Sequence, residues 1–196
     1  MNPVTLFEQT IADYYGARYA VAVDCCTHAL ELCLRLTRPR IVDIPAHTYL
    51  SVPMTLTMLN IQWRFHDRPW ESSYWLDNTR IIDAAVLWQP NSYVPYSFMC
   101  LSFQYKKHLS LGRGGMILLD NYEDALALKK MSYDGRVEDI PWADQNIETM
   151  GYHYYMTPET ARMGLDKFKL AKATVPKIWN QDNYPDLRKM KVFNAK

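Results

Sequence analysis

The 196-residue chain has no excess of charge, no long apolar run and little glycine. Its 22 Lys and Arg against 21 Asp and Glu leave a net charge of +1, which gives no electrostatic footing for nucleic acid or an anionic membrane as main partner. No apolar stretch approaches the ~20 residues that cross a bilayer. Met1-Asn2-Pro3-Val4-Thr5 has neither the basic start nor the apolar core of a secretory signal. The four cysteines, at 25, 26, 33 and 100, lack metal-type pair spacing, and two are adjacent. They predict neither a zinc site nor a disulfide frame, so no metal is expected and a reducing cytoplasm is the expected compartment. Internal repeats and low-complexity segments are also missing. What remains is ordinary for a folded protein: 48% hydrophobic and 22% charged residues, enough for one domain with a sizeable core.

Of the seven glycines, three fall at 112, 114 and 115. They close the stretch Ser102-Phe103-Gln104-Tyr105-Lys106-Lys107-His108-Leu109-Ser110-Leu111-Gly112-Arg113-Gly114-Gly115. Apolar runs flank it, 98–101 before and 116–119 after, and both read as buried strands. Glycines so close together mark unusual backbone dihedrals or a close approach. A lysine held between buried strands loses hydration, and desolvation favours the neutral, nucleophilic amine. Lys-Lys-His before a glycine turn also reads as a solvated hairpin loop.

Along the chain, 4–15 has the pattern of an amphipathic helix ended by Gly16, and 19–23 that of a buried strand. Asp24-Cys25-Cys26-Thr27 then turns into a helix over 28–36. Free N–H groups at such a helix start suit a phosphate, or Asp24 or Thr27 simply caps the helix. A second strand, 40–44, stops at Pro45. Ala46-His47-Thr48-Tyr49 follows, then a helix to about Leu59. Residues 61–66 alternate as a strand, and 80–85 form another that carries Asp83. Asp120-Asn121 caps a helix over 122–131. Residues 137–150 read as a loop. Thr157 and Pro158 start a helix that runs to about Ala173. The alternation predicts an α/β fold with a mostly parallel sheet, whose ligands lie at the carboxyl ends of the strands. Residues 1–179 are expected to form one domain, and 180–196 a polar, loosely held tail.

Several of these stretches, in this order, resemble the sugar-nucleotide aminotransferases of the DegT type, fold type I enzymes that use pyridoxal 5'-phosphate (PLP). That family has a strand, a small-residue turn ending in threonine, then a helix, and the turn holds the cofactor phosphate. Thr27 matches the threonine, and Cys25 and Cys26 replace small residues whose backbone N–H groups still serve. Pro45 to Tyr49 resembles its Pro-x-x-Thr-aromatic, which assigns Tyr49 to stacking on the cofactor ring. Asp83-Ala84-Ala85 resembles Asp-Ala-Ala-Gln and assigns Asp83 to the pyridine nitrogen, with Val86 in place of the glutamine. Ser102, five residues before Lys107, and Lys107, five before Gly112, match the signature of the Schiff-base lysine. Arg113 stands where the family carries an acid. Gly151 to Thr157 resembles Gly-Tyr-Asn-Tyr-Arg-Met-Ser, so His153 takes the place of an asparagine that reaches the phosphate in the neighbouring subunit.

The resemblance implies a reduced version of the fold type I large domain. Only 12 residues separate Asp67 from Arg80, too few for the strand and helix the family places there, and its C-terminal domain has no counterpart. It implies a homodimer with shared sites, and transfer of an amino group from an amino acid to a keto acceptor such as a keto sugar nucleotide. In that chemistry Lys107 is the Schiff-base lysine and proton carrier, and Asp83 keeps the pyridine protonated. Two alternatives stand beside it. One is a non-catalytic remnant used for binding or assembly. The other is a PLP-dependent sugar dehydratase, since related dehydratases carry a histidine at the position of His108. So compact a member would suit a virus, and the compartment would then be the host cytoplasm.

Overall fold

The computed structural model describes residues 2–194. Helix α1 spans Pro3–Tyr15. Asn2 caps it by accepting the Val4 N–H at 2.9 Å, Pro3 fills the first turn, and Gly16 ends it with φ +79°. Then follow β1 (Tyr19–Val23), α2 (Cys26–Thr37), β2 (Ile41–Pro45), α3 (Ser51–Met58) and β3 (Gln62–His66). Two three-residue strands come next, β4 (Tyr74–Leu76) and β5 (Ile81–Asp83), then β6 (Phe98–Ser102) and β7 (Gly115–Leu119). Helices α4 (Tyr122–Ser132), α5 (Pro158–Ala173) and the short α6 (Lys191–Asn194) complete the set.

The α/β expectation holds, but the sheet is not mostly parallel. Its five-stranded part has the order β1-β7-β6-β5-β4, and three of its four pairings are antiparallel. Strands β2 and β3 form a separate parallel pair. One antiparallel bridge, Asp43 to Asp77, joins β2 to the end of β4. Across that bridge the order becomes β3-β2-β4-β5-β6-β7-β1, in which only β4 and β7 run against the rest. Their insertion reverses most pairings. The cause is the length of the connections. A parallel neighbour needs a crossover of a dozen or more residues, usually a helix. The four residues between β4 and β5 allow only a turn, and no helix lies in the loop between β6 and β7.

Each buried strand sends alternate side chains to two helical layers. Val21, Phe98, Cys100 and Ile117 pack under α2 and α4. Ala22, Met99, Leu101 and Met116 pack against α1 and α5, where Phe7 and Phe103 meet at 5.3 Å. The carboxyl ends of β1, β2, β5 and β6 and the amino end of β7 therefore share one edge. Residues 180–190, expected as a loose tail, also return to that edge. The Leu187 N–H bonds to the Ala46 carbonyl at 2.9 Å and its side chain is buried. The end of the tail, 195–196, lies outside the described residues.

Candidate active site

A cleft of about 560 Å³ opens at this edge. Seven of the eight residues singled out in the sequence line it: Cys25, Cys26, Thr27, Tyr49, Asp83, Ser102 and Lys107. They come from four strand ends and one loop, up to 82 positions apart, so their convergence is a product of the fold. The eighth, His153, sits on the surface outside the cleft, 3.1 Å from Asp134.

Asp83 ends β5 and is buried (7% exposed). One carboxylate oxygen accepts the Tyr74 hydroxyl at 2.6 Å and the other accepts the Ala85 N–H at 2.9 Å. Tyr74 is tied in turn to the Thr48 hydroxyl. Burial raises the Asp83 pKa above the usual carboxylate value, against the lowering pull of its two hydrogen bonds and of the Lys107 charge. Such a carboxylate is poised for a cationic partner.

Lys107 lies on the loop after β6, with its N–H on the Gln104 carbonyl at 2.8 Å. Its ammonium makes no ion pair among the described residues and rests 5.4 Å from the ring of Trp179. Burial lowers its pKa, while the charge of Asp83 works the other way. The amine is thus nearer to its neutral form than a surface lysine's. Ser102 supports the start of this loop by accepting the Gln104 N–H at 3.3 Å. Tyr49, between β2 and α3, presents a half-exposed ring (52%) to the cleft.

The start of α2 departs from the expected cap. Neither Asp24 nor Thr27 caps it: Cys25 holds the cap position and gives no side-chain bond. Thr27 instead pairs with the Ser51 hydroxyl at 2.8 Å, joining the starts of α2 and α3. Asp24 pairs with His28 at 2.6 Å and with Arg113 at 2.7 Å. Its pKa is lowered, because these two cations outweigh its desolvation. Desolvation opposes the charged form of His28 as well, yet the bonds to Asp24 and Cys25 raise its pKa to about 9. The helix start therefore carries open amides with two cations beside them, a setting for an anion. Asp24, Cys25 and His28 bring three donor atoms within 4.8 Å of one another. With both Asp24 oxygens engaged by cations, this is an ion-pair network rather than a metal centre.

Gly115 explains the glycine turn. A Cβ there would stand 2.4 Å from the Cys25 carbonyl carbon and 2.6 Å from the Cys26 nitrogen. Only glycine lets β7 press against the α2 start and fix its amides. Gly112, at φ +79°, makes the left-handed turn.

Four further residues belong to the site without a signal in the sequence: Tyr74, Trp179 and Tyr184 in the cleft lining, and His28 on Asp24. Tyr74 lies on a strand too short for periodicity, and the other two aromatics lie in or beside the polar C-terminal stretch. His108, the basis of the dehydratase alternative, is absent from the cleft lining. It bonds the Ala171 carbonyl at 2.8 Å and packs near Trp88.

The same fold occurs in solved structures. AtS13 from Actinomadura melliaura matches with a TM-score of 0.73 at 18% identity, over 88% of this chain and 61% of that one. The sugar aminotransferase CalS13 from Micromonospora echinospora matches with a TM-score of 0.73 at 14% identity, over 88% and 62%. The fold is that of the fold type I, PLP-dependent aminotransferases. At the level of sequence, the model of the DegT/DnrJ/EryC1/StrS aminotransferase family matches residues 2–84 and 96–180, and the chain belongs to that family. An uncharacterized protein of Methanocaldococcus jannaschii is 23% identical over 244 residues, 93% of this chain and 62% of its own length. The chain thus spans 61–62% of the length of these relatives. Among the described residues no helix is long and apolar enough to cross a membrane.

Proposed function

We propose that this chain is a PLP-dependent aminotransferase. It moves an amino group from an amino-acid donor to a keto acceptor, a keto sugar on a nucleotide, in a cytoplasmic homodimer. The observation that carries the reading is one cleft with four chemically distinct groups at its rim. They are a buried acid, a partly desolvated lysine, an open helix start and an exposed aromatic ring.

The residues fit PLP part by part. The α2 amides, with His28 and Arg113 beside them, suit a phosphate; Gly115 leaves the space that fixes those amides. Asp83 suits a protonated pyridine nitrogen, because a cation there relieves the cost of burying its charge. Tyr49 offers a face for a flat ring. Bound PLP supplies an electron sink for the negative charge left when the donor's α-proton departs. Lys107 is the group that takes and returns that proton, and burial, which lowers its pKa, favours the free amine that this role needs. Asp83, held at both oxygens, keeps the ring nitrogen protonated throughout. His153 faces outward and serves the partner's cleft.

A non-catalytic remnant is the second reading, favoured by Arg113 where the family carries an acid and by the apolar Val86 where it carries a glutamine. His108, turned toward the end of α5, weighs against the dehydratase. The deciding experiment is a PLP titration followed by visible absorption, with the parent beside Lys107→Ala. A band that borohydride removes and the variant lacks is expected, followed by loss of the band on adding an amino donor. A folded parent with no band refutes the enzyme and leaves the remnant.

A further inference from the structure

Beyond α5, the chain crosses the mouth of the cleft. Trp179, Asn183 and Tyr184 line it together with Lys107, Asp83 and Tyr49. The segment is pinned at several backbone points. The Trp179 carbonyl accepts the Ser72 N–H at 2.7 Å, the Tyr184 carbonyl accepts His47 Nδ1–H at 2.9 Å, and the Leu187 N–H bonds to Ala46. Asn180 and Asn183 form a reciprocal capping box between them. The rings follow suit: Tyr184 lies 5.5 Å from Trp70 and 6.2 Å from Trp179.

Three observations say what this crossing does. First, with the segment in place the cleft still measures about 560 Å³, inside the ~300–1,000 Å³ of pockets that enclose small ligands, so the segment is a wall and not a plug. Second, the Tyr184 hydroxyl makes no hydrogen bond among the described residues, although the residue borders the cleft near Asp83, whose charge, after burial, helps push the phenol pKa upward. Its donor is therefore free to meet a ligand in the cleft. Third, Val86 in the same cleft cannot give the polar contact of the family's glutamine. Tyr184 itself lies past residue 180, where the family match ends.

We propose that Trp179 and Tyr184 are ligand-contacting residues of this site. Trp179 covers the Lys107 side, and the Tyr184 hydroxyl donates a hydrogen bond to the polar edge of the bound cofactor ring. The inference rests on the PLP reading. It makes the contacts around the ring a mixture of family positions and one position of this chain's own.

The test is PLP affinity by visible absorption, read for the parent, Tyr184→Phe and Trp179→Leu. Tyr184→Phe keeps the ring against Trp70, so the fold is preserved, and thermal unfolding checks that. Loss of one hydrogen bond raises the dissociation constant about 5- to 10-fold, with a shifted absorption maximum. Trp179→Leu is expected to lower the part of the tryptophan fluorescence that PLP quenches. If the parent shows its band and Tyr184→Phe binds within threefold of it, the inference is overturned. A parent without a band removes the cofactor reading itself, and this inference with it.

Discussion

Replacing Tyr74 by phenylalanine tests the electrostatics at the base of the cleft. The variant keeps a ring 5.1 Å from Trp70 but deletes the donor that reaches Asp83 at 2.6 Å. A hydrogen bond to a charged group nets about 1.5–3 kcal/mol, and one between neutral groups about 0.5–1.5. The deficit therefore depends on whether Asp83 is ionised: about 2 kcal/mol when it is, about 1 when it is not. For a chain of this length each kcal/mol moves the Tm by about 2–4 °C. The expected drop is about 4–8 °C in the ionised state and about 2–4 °C in the protonated one. The sign of the pH effect follows from burial. The Asp83 pKa is raised in the folded state, so the fold binds this proton more tightly than the unfolded chain does. Ionising Asp83 then costs stability as pH rises through its folded pKa, and Tyr74 reduces that cost. The variant's deficit should widen from pH 4 to pH 8, measured by thermal unfolding of both proteins without PLP. A deficit that is zero, or equal across the series, refutes the argument that Tyr74 serves the carboxylate.

Three further outcomes are expected. Gly115→Ala places a methyl 2.4 Å from the Cys25 backbone, and overpacking of that kind costs about 1–3 kcal/mol. Urea unfolding should show the loss, together with weaker PLP binding; parent-like values of both contradict the packing argument. Arg113→Glu sets a second carboxylate against Asp24 and should weaken PLP about 5- to 10-fold while changing pyridoxal, which lacks the phosphate, much less. Equal weakening of the two ligands would place Arg113 elsewhere in the chemistry. The His28 imidazole should titrate in NMR with a midpoint of about 9. The stability it adds is complete below its ordinary pKa of 6.5 and fades as pH rises through about 9, and a midpoint near 6.5 would count against the Asp24 pairing.

What the sequence made legible was local. Gly16, Pro45 and the Thr157-Pro158 pair punctuate the chain with residues of distinct backbone preference: α1 ends at the first, β2 at the second, and α5 begins at the third. Strands 19–23 and 98–102 announce themselves as short apolar runs. Lys107, Asp83 and Tyr49, which line the cleft, each follow such a run at a spacing the family shares. What escaped depends on distant pairing. The direction of β4 and β7 is set by loop lengths and by neighbours far along the chain. Arg113 reaches Asp24 across 89 positions, and nothing in either neighbourhood signals it. Tyr74 sits on three residues, too few for a period of two. Trp179 and Tyr184 lie among polar residues, where an aromatic side chain carries no pattern.

The single bridge between Asp43 and Asp77 bears on how the molecule breathes. On one side of it lies a sheet zipped by four ladders; on the other lies the β2–β3 pair with the turn that carries Tyr49. By backbone hydrogen bonding the seam is thin, with the packing of Val42 and Ile44 holding the rest, and the amides of β2 and β3 are expected to exchange with solvent sooner than those of β6 and β7. A molecule gripping Tyr49 on one bank and Asp83 and Lys107 on the other acts as a rivet across that seam. Its binding free energy then appears as slowed exchange in β2 and β3, tens of residues from any atom undergoing chemistry.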